Sequence, residues 1–234
     1  MQRRHFHHLG LGAIGSLMFA TWQQAHALSL ADLSGADASS GVKAALAKGA
    51  ESAVALLGQS DGFLGNPKVR IPLPGYLEDA AKLMRKFGQG KAIDELVTGM
   101  NRAAEAAVPL GKDILVQAVQ SMSVTDAKNI LTGGDTSVTE FFVTKTRAPL
   151  SERFLPVVNK ATENVGLTQK YNAFAGKAAS FGLLKPEESN LAGYVTGKTL
   201  DGLFFMIGEE ERKIRQNPAG AGSAVLQRVF GALR

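Results

Sequence analysis

Residues 93–109 read Ile-Asp-Glu-Leu-Val-Thr-Gly-Met-Asn-Arg-Ala-Ala-Glu-Ala-Ala-Val-Pro. Ile93, Leu96, Val97, Met100, Ala103, Ala104 and Ala107 recur three and four residues apart, the period of one helix face, and Pro109 ends the run. Asp94, Thr98, Asn101, Arg102 and Glu105 form a polar stripe on the same helix, with Asn101 and Glu105 one turn apart and Arg102 three residues before Glu105. The stripe reads first as a solvated face or as a structural ion pair tying neighbouring helices. Its second reading is a carboxylate and a guanidinium facing a pocket.

The same period extends outward in both directions. Val42, Ala45, Leu46, Ala50, Ala53, Leu56 and Leu57 predict a helix closed by Gly58, with Ser39 or Ser40 as its N-cap. Leu77 to Phe87 predict a second, before Gly88, and Ile114 to Val119 another. Ser123-Val-Thr-Asp126 and Ser137-Val-Thr-Glu140 resemble capping boxes on either side of Gly133-Gly134. Further helices are expected over 150–164, 167–181, about 190–215 and about 221–233. Glu209 with Lys213 and Glu211 with Arg215 have the stabilising acid-first order. With short connections and no linker, these segments predict one all-α domain over 28–234, of about eight or nine helices.

One segment departs from this period. From Gly62 to Gly75, Val69, Ile71 and Leu73 alternate with Lys68, Arg70, Pro72 and Pro74, which predicts an extended, Pro-rich arm with one apolar face. It reads as a strap across the helices, or as an arm that docks a partner or covers a ligand and carries Lys68 and Arg70.

The first 27 residues predict a cleaved export signal: a basic, polar start, a modest apolar stretch, and Ala25-His26-Ala27 as a small-x-small cleavage site. Arg3-Arg4-His5-Phe6 partly matches the twin-arginine signal, and Sec export fits as well. The apolar stretch is too short and glycine-rich for a permanent membrane anchor. All four histidines and the one Trp lie in this segment, and the chain has no Cys. The remaining 207 residues hold 24 basic and 21 acidic residues, a charge of +3 with no concentrated basic face, so nucleic acid is not an expected partner. A periplasmic location is expected.

Several motifs fail on context. Ala192-Gly-Tyr-Val-Thr-Gly-Lys-Thr199 has the outline of a phosphate-binding loop. No strand leads into it, however, and Leu191, Tyr194, Val195, Leu200, Leu203, Phe204 and Ile207 run one helical stripe through it. Gly58-Gln-Ser-Asp-Gly62 matches the esterase nucleophile elbow, but Ser60 would have no histidine base. Ser40-Gly-Val-Lys43 lacks the third motif of the Ser-Lys enzymes. Zinc and transition-metal sites rely on Cys and His, and no calcium loop occurs, so neither metal nor cofactor is expected. Asp135 reads as part of a helix start. Tyr194, Lys198 and Asp201, with Lys145 and Thr146, supply the remaining acid–base side chains, and Leu203–Ile207 reads as core.

Five stretches carry a resemblance: Leu30–Ser34, Gly65–Pro74, Met100–Pro109, Ile130–Asp135 and Leu200–Phe204. Together they resemble an uncharacterised family of exported bacterial proteins, domain-of-unknown-function family 4197, over essentially the whole of 28–234. The resemblance implies a mostly helical, secreted or periplasmic domain, and no activity or site residue comes with it.

The preferred functional expectation is a non-enzymatic domain that binds a small apolar or amphipathic ligand between helices or docks an envelope protein. Its candidate binding residues are Lys68, Arg70, Asn101, Arg102, Glu105, Tyr194, Lys198 and Asp201, and no catalytic residue is nominated. The alternative is a hydrolase working on envelope material through two carboxylates.

Overall fold

A computed structural model describes residues 35–134, 136–164, 169, 171, 172 and 191–217. The helices follow the apolar period. They are α1 (Gly35–Leu57), α2 (Gly75–Lys86), α3 (Gly90–Ala107), α4 (Lys112–Gln120), α5 (Val124–Thr132), α6 (Ser137–Asn164) and α7 (Leu191–Gln216), with a 3₁₀ turn at Val108–Gly111 between α3 and α4. The described residues contain no strand, so the all-α expectation stands.

Among the described residues, fewer helices are defined than the eight or nine expected of the whole chain. The helices predicted from Ser137 and over 150–164 are one element, α6, which runs through Pro149 and Pro156. Both prolines are exposed, so the carbonyls they leave without an amide partner lie on the side water reaches. The expected 221–233 helix, most of 167–181, Asp135 and the 1–27 signal lie outside the described residues.

Packing is organised around long α6 and α7, which lie against each other. α1 covers α7, α4 and α5, while α3 packs on α6 and α7. The apolar face of α3 is buried as its period requires, from Ile93 to Ala107. It joins one core with Leu46, Leu57, Phe63, Leu115, Phe142, Phe154 and Leu203. Each large side chain taken fully out of water there contributes roughly 1.5–3 kcal/mol. α2 is placed differently: its main neighbour among these helices is α3.

Residues 61–74 are not an extended arm. Amides of Gly65, Asn66, Val69 and Arg70 bond to carbonyls three or four residues back, folding 61–70 into successive turns. Only 70–74 run without regular structure before α2. Asn66 and Gly65 close these turns early, which a two-residue alternation starting at Lys68 does not register. The alternation itself is real: Val69, Ile71 and Leu73 are buried, while Lys68, Arg70 and Pro72 are exposed. Pro74 breaks it by being buried.

Three local expectations also change. Ser39 and Ser40 lie inside α1, which begins at Gly35, so neither is its N-cap. Ser123 and Asp126 do form the predicted capping box. Ser137, in contrast, is the first helical residue of α6 and donates its hydroxyl to the Ile130 carbonyl, while Thr136 takes the turn position and bonds Glu140. Glu211 pairs with Arg215 as expected, but Glu209 turns to Lys68 and Arg212, and Lys213 pairs with Glu210.

Candidate functional site

The polar stripe of α3 meets the backbone of the 60–74 segment. Asn101 is fully buried: its Oδ1 accepts the Ile71 N–H at 2.8 Å, and its Nδ2 donates to the Ile71 carbonyl at 2.9 Å and the Val97 carbonyl at 2.8 Å. One carboxamide thus replaces the strand partner that Ile71 lacks. One turn along α3, Glu105 Oε1 accepts the N–H groups of Phe63 and Leu64, each at 3.1 Å. Its other oxygen accepts Arg102 Nη1 at 2.6 Å.

Arg102 completes the arrangement from the solvent side. Nη1 also donates to Ser60 Oγ at 3.1 Å, and Nη2 donates to Asp61 Oδ1 at 2.7 Å. The two carboxylates hold the guanidinium pKa above its ordinary value, chiefly through the bond from Glu105. Asp61 has φ +66°, left-handed backbone that Asp tolerates better than most side chains. Asn101, Arg102 and Glu105 thus clamp a turn and a loop 30 to 42 residues away.

α7 closes the same segment from the other side. Tyr194 donates its hydroxyl to the Pro72 carbonyl at 3.0 Å, and Lys68 bonds Glu209 at 2.6 Å while lying 5.9 Å from the Phe205 ring centroid. Lys68 is the main reason the Glu209 carboxyl stays below its usual range. Gly202 makes the approach possible, because a Cβ there would stand 2.7 Å from Phe63 and 3.3 Å from Val69. The 60–74 segment is therefore a strap between α3 and α7.

Of the nominated residues, Lys68, Asn101, Arg102, Glu105 and Tyr194 converge on this strap, and Arg70 lies on its exposed edge. Lys198 and Asp201 do not join them. Asp201 bonds Arg147 at 2.8 Å, with Lys198 at 3.9 Å. Thr146 donates to the Phe142 carbonyl within its own helix, and Lys145 lies at a separate cleft. The phosphate-loop outline at 192–199 is continuous helix in α7, with Thr199 Oγ1 bonded to the Val195 carbonyl, so no ring of amides is free to meet phosphate. Ser60 sits in an exposed turn as an acceptor for Arg102.

Two open clefts were not singled out by sequence. One, of about 410 Å³, lies between α1 and the end of α7 and is lined by Lys48, Ser52, Glu210 and Lys213 among others. The other, of about 380 Å³, lies between α5 and α6 and includes Asp126, Asn129, Glu140 and Lys145. The apolar pocket beside the first, under Leu46, Ile207 and Ile214, is only about 10 Å³, room for a single water. Cleft side chains are spaced as ordinary exposed helix residues, so only tertiary placement marks them. The Asp126 carboxyl is lowered mainly by the Ser123 backbone bond of its capping box, and Asp94 mainly by its bond from Arg85.

No helix among the described residues is long and apolar enough to cross a membrane. A family model described as "Protein of unknown function (DUF4197)" matches residues 32–231. No curated protein and no solved structure matches the chain. The chain belongs to the DUF4197 family.

Proposed function

We propose that this DUF4197 member is a non-catalytic helical interaction domain of the periplasm, which docks an envelope partner with its outer surface. The observation that carries the reading is the use made of the strongest polar constellation. Asn101, Arg102 and Glu105 spend their hydrogen-bonding capacity on the 60–71 backbone, Ser60 and Asp61, leaving a catalytic or ligand-binding role little to work with.

Two further observations support it over the alternatives. A carboxylate hydrolase needs one carboxyl held above its ordinary range to act as acid. Asp94, Asp126 and Glu209 are each lowered by their partners, the opposite of that requirement. A carrier of apolar molecules needs a cavity of several hundred Å³, and among the described residues the apolar pocket beneath Leu46 and Ile207 offers roughly 10 Å³. The periplasmic location rests on the basic start, apolar stretch and Ala25-His26-Ala27 of the first 27 residues.

Native mass spectrometry of the exported chain, coupled to turnover assays on peptidoglycan fragments, tests the proposal. The expected result is the bare chain mass and no released fragments. A stoichiometric lipid-like adduct would make the protein a carrier. Fragment release that a Glu→Gln or Asp→Asn substitution abolishes would make it a hydrolase.

A further inference from the structure

The hairpin between α2 and α3 ends in a rigid turn. Gly88 has φ +77°, its N–H bonds the Arg85 carbonyl at 3.1 Å, and the Gln89 N–H bonds the Met84 carbonyl at 3.0 Å. This pair of bonds is the Schellman motif, which satisfies the last carbonyls of a helix and fixes the direction of the chain beyond it. Phe87, at the C-cap of α2, is held there at 73% exposure, the highest of the exposed large apolar side chains among the described residues. Packing gives it no reason to be aromatic.

The charged residues nearest this turn in sequence are cationic, with acids on either side of them at Glu78, Asp79, Asp94 and Glu95. Between residues 80 and 93 the charged residues are Lys82, Arg85, Lys86 and Lys91, with no acid. Lys82 and Arg85 are paired, to Asp79 and Asp94. Lys86 and Lys91 are exposed and make no ion pair with another described residue. Helix electrostatics account for Lys86, which lies in the last turn of α2 where a cation is favoured. Lys91 lies in the first turn of α3, where the helix dipole disfavours a cation, and its neighbours three and four residues on are Asp94 and Glu95.

We propose that this tip, Phe87 flanked by Lys86 and Lys91, docks the domain on an anionic phospholipid bilayer surface. The chemistry is complementary on both counts: an aromatic ring enters the interface between headgroups and acyl chains, and unpaired ammonium groups meet the negative surface potential. One ring and a few cations give a reversible, salt-sensitive attachment. The tip suits this geometrically, because α2 packs mainly on α3 and its loop lies at the hairpin's end. This inference rests on the interaction-domain reading and names its partner.

Sedimentation of the exported chain with phosphatidylglycerol-rich vesicles, against pure phosphatidylcholine vesicles, tests the inference. Binding to the anionic vesicles is expected, lost as salt is raised. Lys86→Gln with Lys91→Gln should weaken partitioning roughly thirtyfold, about fivefold for each cation. Phe87→Ser should weaken it roughly tenfold. Melting temperatures should hold in both variants, since all three side chains are exposed. In an exported chain carrying Phe87→Trp, the indole should blue-shift on the anionic vesicles and be quenched by brominated acyl chains. Absence of binding, binding that the tip variants leave unchanged, or an unquenched indole each overturns the proposal. Any of these, obtained with no adduct and no turnover, removes the bilayer as partner while leaving the interaction reading intact. Turnover or a bound lipid-like molecule overturns that reading whatever the vesicles show.

Discussion

Glu105 is the side chain on which the strap depends most. Its buried carboxylate accepts two backbone amides and one guanidinium hydrogen bond. Glu105→Gln keeps the shape but turns one acceptor into a donor, which must face either those amides or Arg102. The expected loss is about 1–3 kcal/mol, a lost partner for buried donors, read as a fall in melting temperature of roughly 2–4 °C per kcal/mol for a chain of this size. Asp61→Asn is the contrast: the Arg102 bond there is exposed on both sides, and Asn accepts the left-handed backbone, so the shift should stay within about 1 kcal/mol. That Asn101, Arg102 and Glu105 share one stripe was legible from their spacing. What they bind was not, because their partners include backbone amides, which carry no side-chain signature, 30 to 42 residues away.

Elements came through where one face is apolar and the ends carry their own chemistry. α3 and α5 are examples, with the period of Ile93 to Ala107 and the Ser123–Asp126 box. α6 was expected as two helices because proline normally ends one; the exposure of Pro149 and Pro156 is what lets it continue. α7 hides a different distinction, between two glycines that look alike in sequence. Gly202 faces Phe63, whose fully buried ring has nowhere to move, so Gly202→Ala should destabilise by about 1–3 kcal/mol through overpacking. Gly197 has nothing within 4 Å of an added Cβ, so Gly197→Ala should stabilise by up to about 1 kcal/mol through helix propensity alone. Paired thermal melts of the two variants, opposite in sign, check that α7 closes on the strap at Gly202. Equal shifts would place the contact elsewhere.

At the scale of the molecule, three of the stretches that carry the family resemblance, Gly65–Pro74, Met100–Pro109 and Leu200–Phe204, meet where the strap lies between α3 and α7. Asn101 to Ile71, Glu105 to Leu64, and Gly202 against Phe63 and Val69 are the contacts that join them. Their shared occupation is architectural. The fold class could be reached from periodicity alone, whereas the strap required knowing which distant backbone each polar side chain satisfies. Amide hydrogen exchange at Phe63, Leu64 and Ile71 tests this clamp most directly. The account predicts slow exchange at all three in the unaltered chain. Glu105→Ala should speed Phe63 and Leu64 while sparing Ile71, and Asn101→Ala should do the reverse. Fast exchange at these amides in the unaltered chain, at the rate of exposed turns, would contradict it.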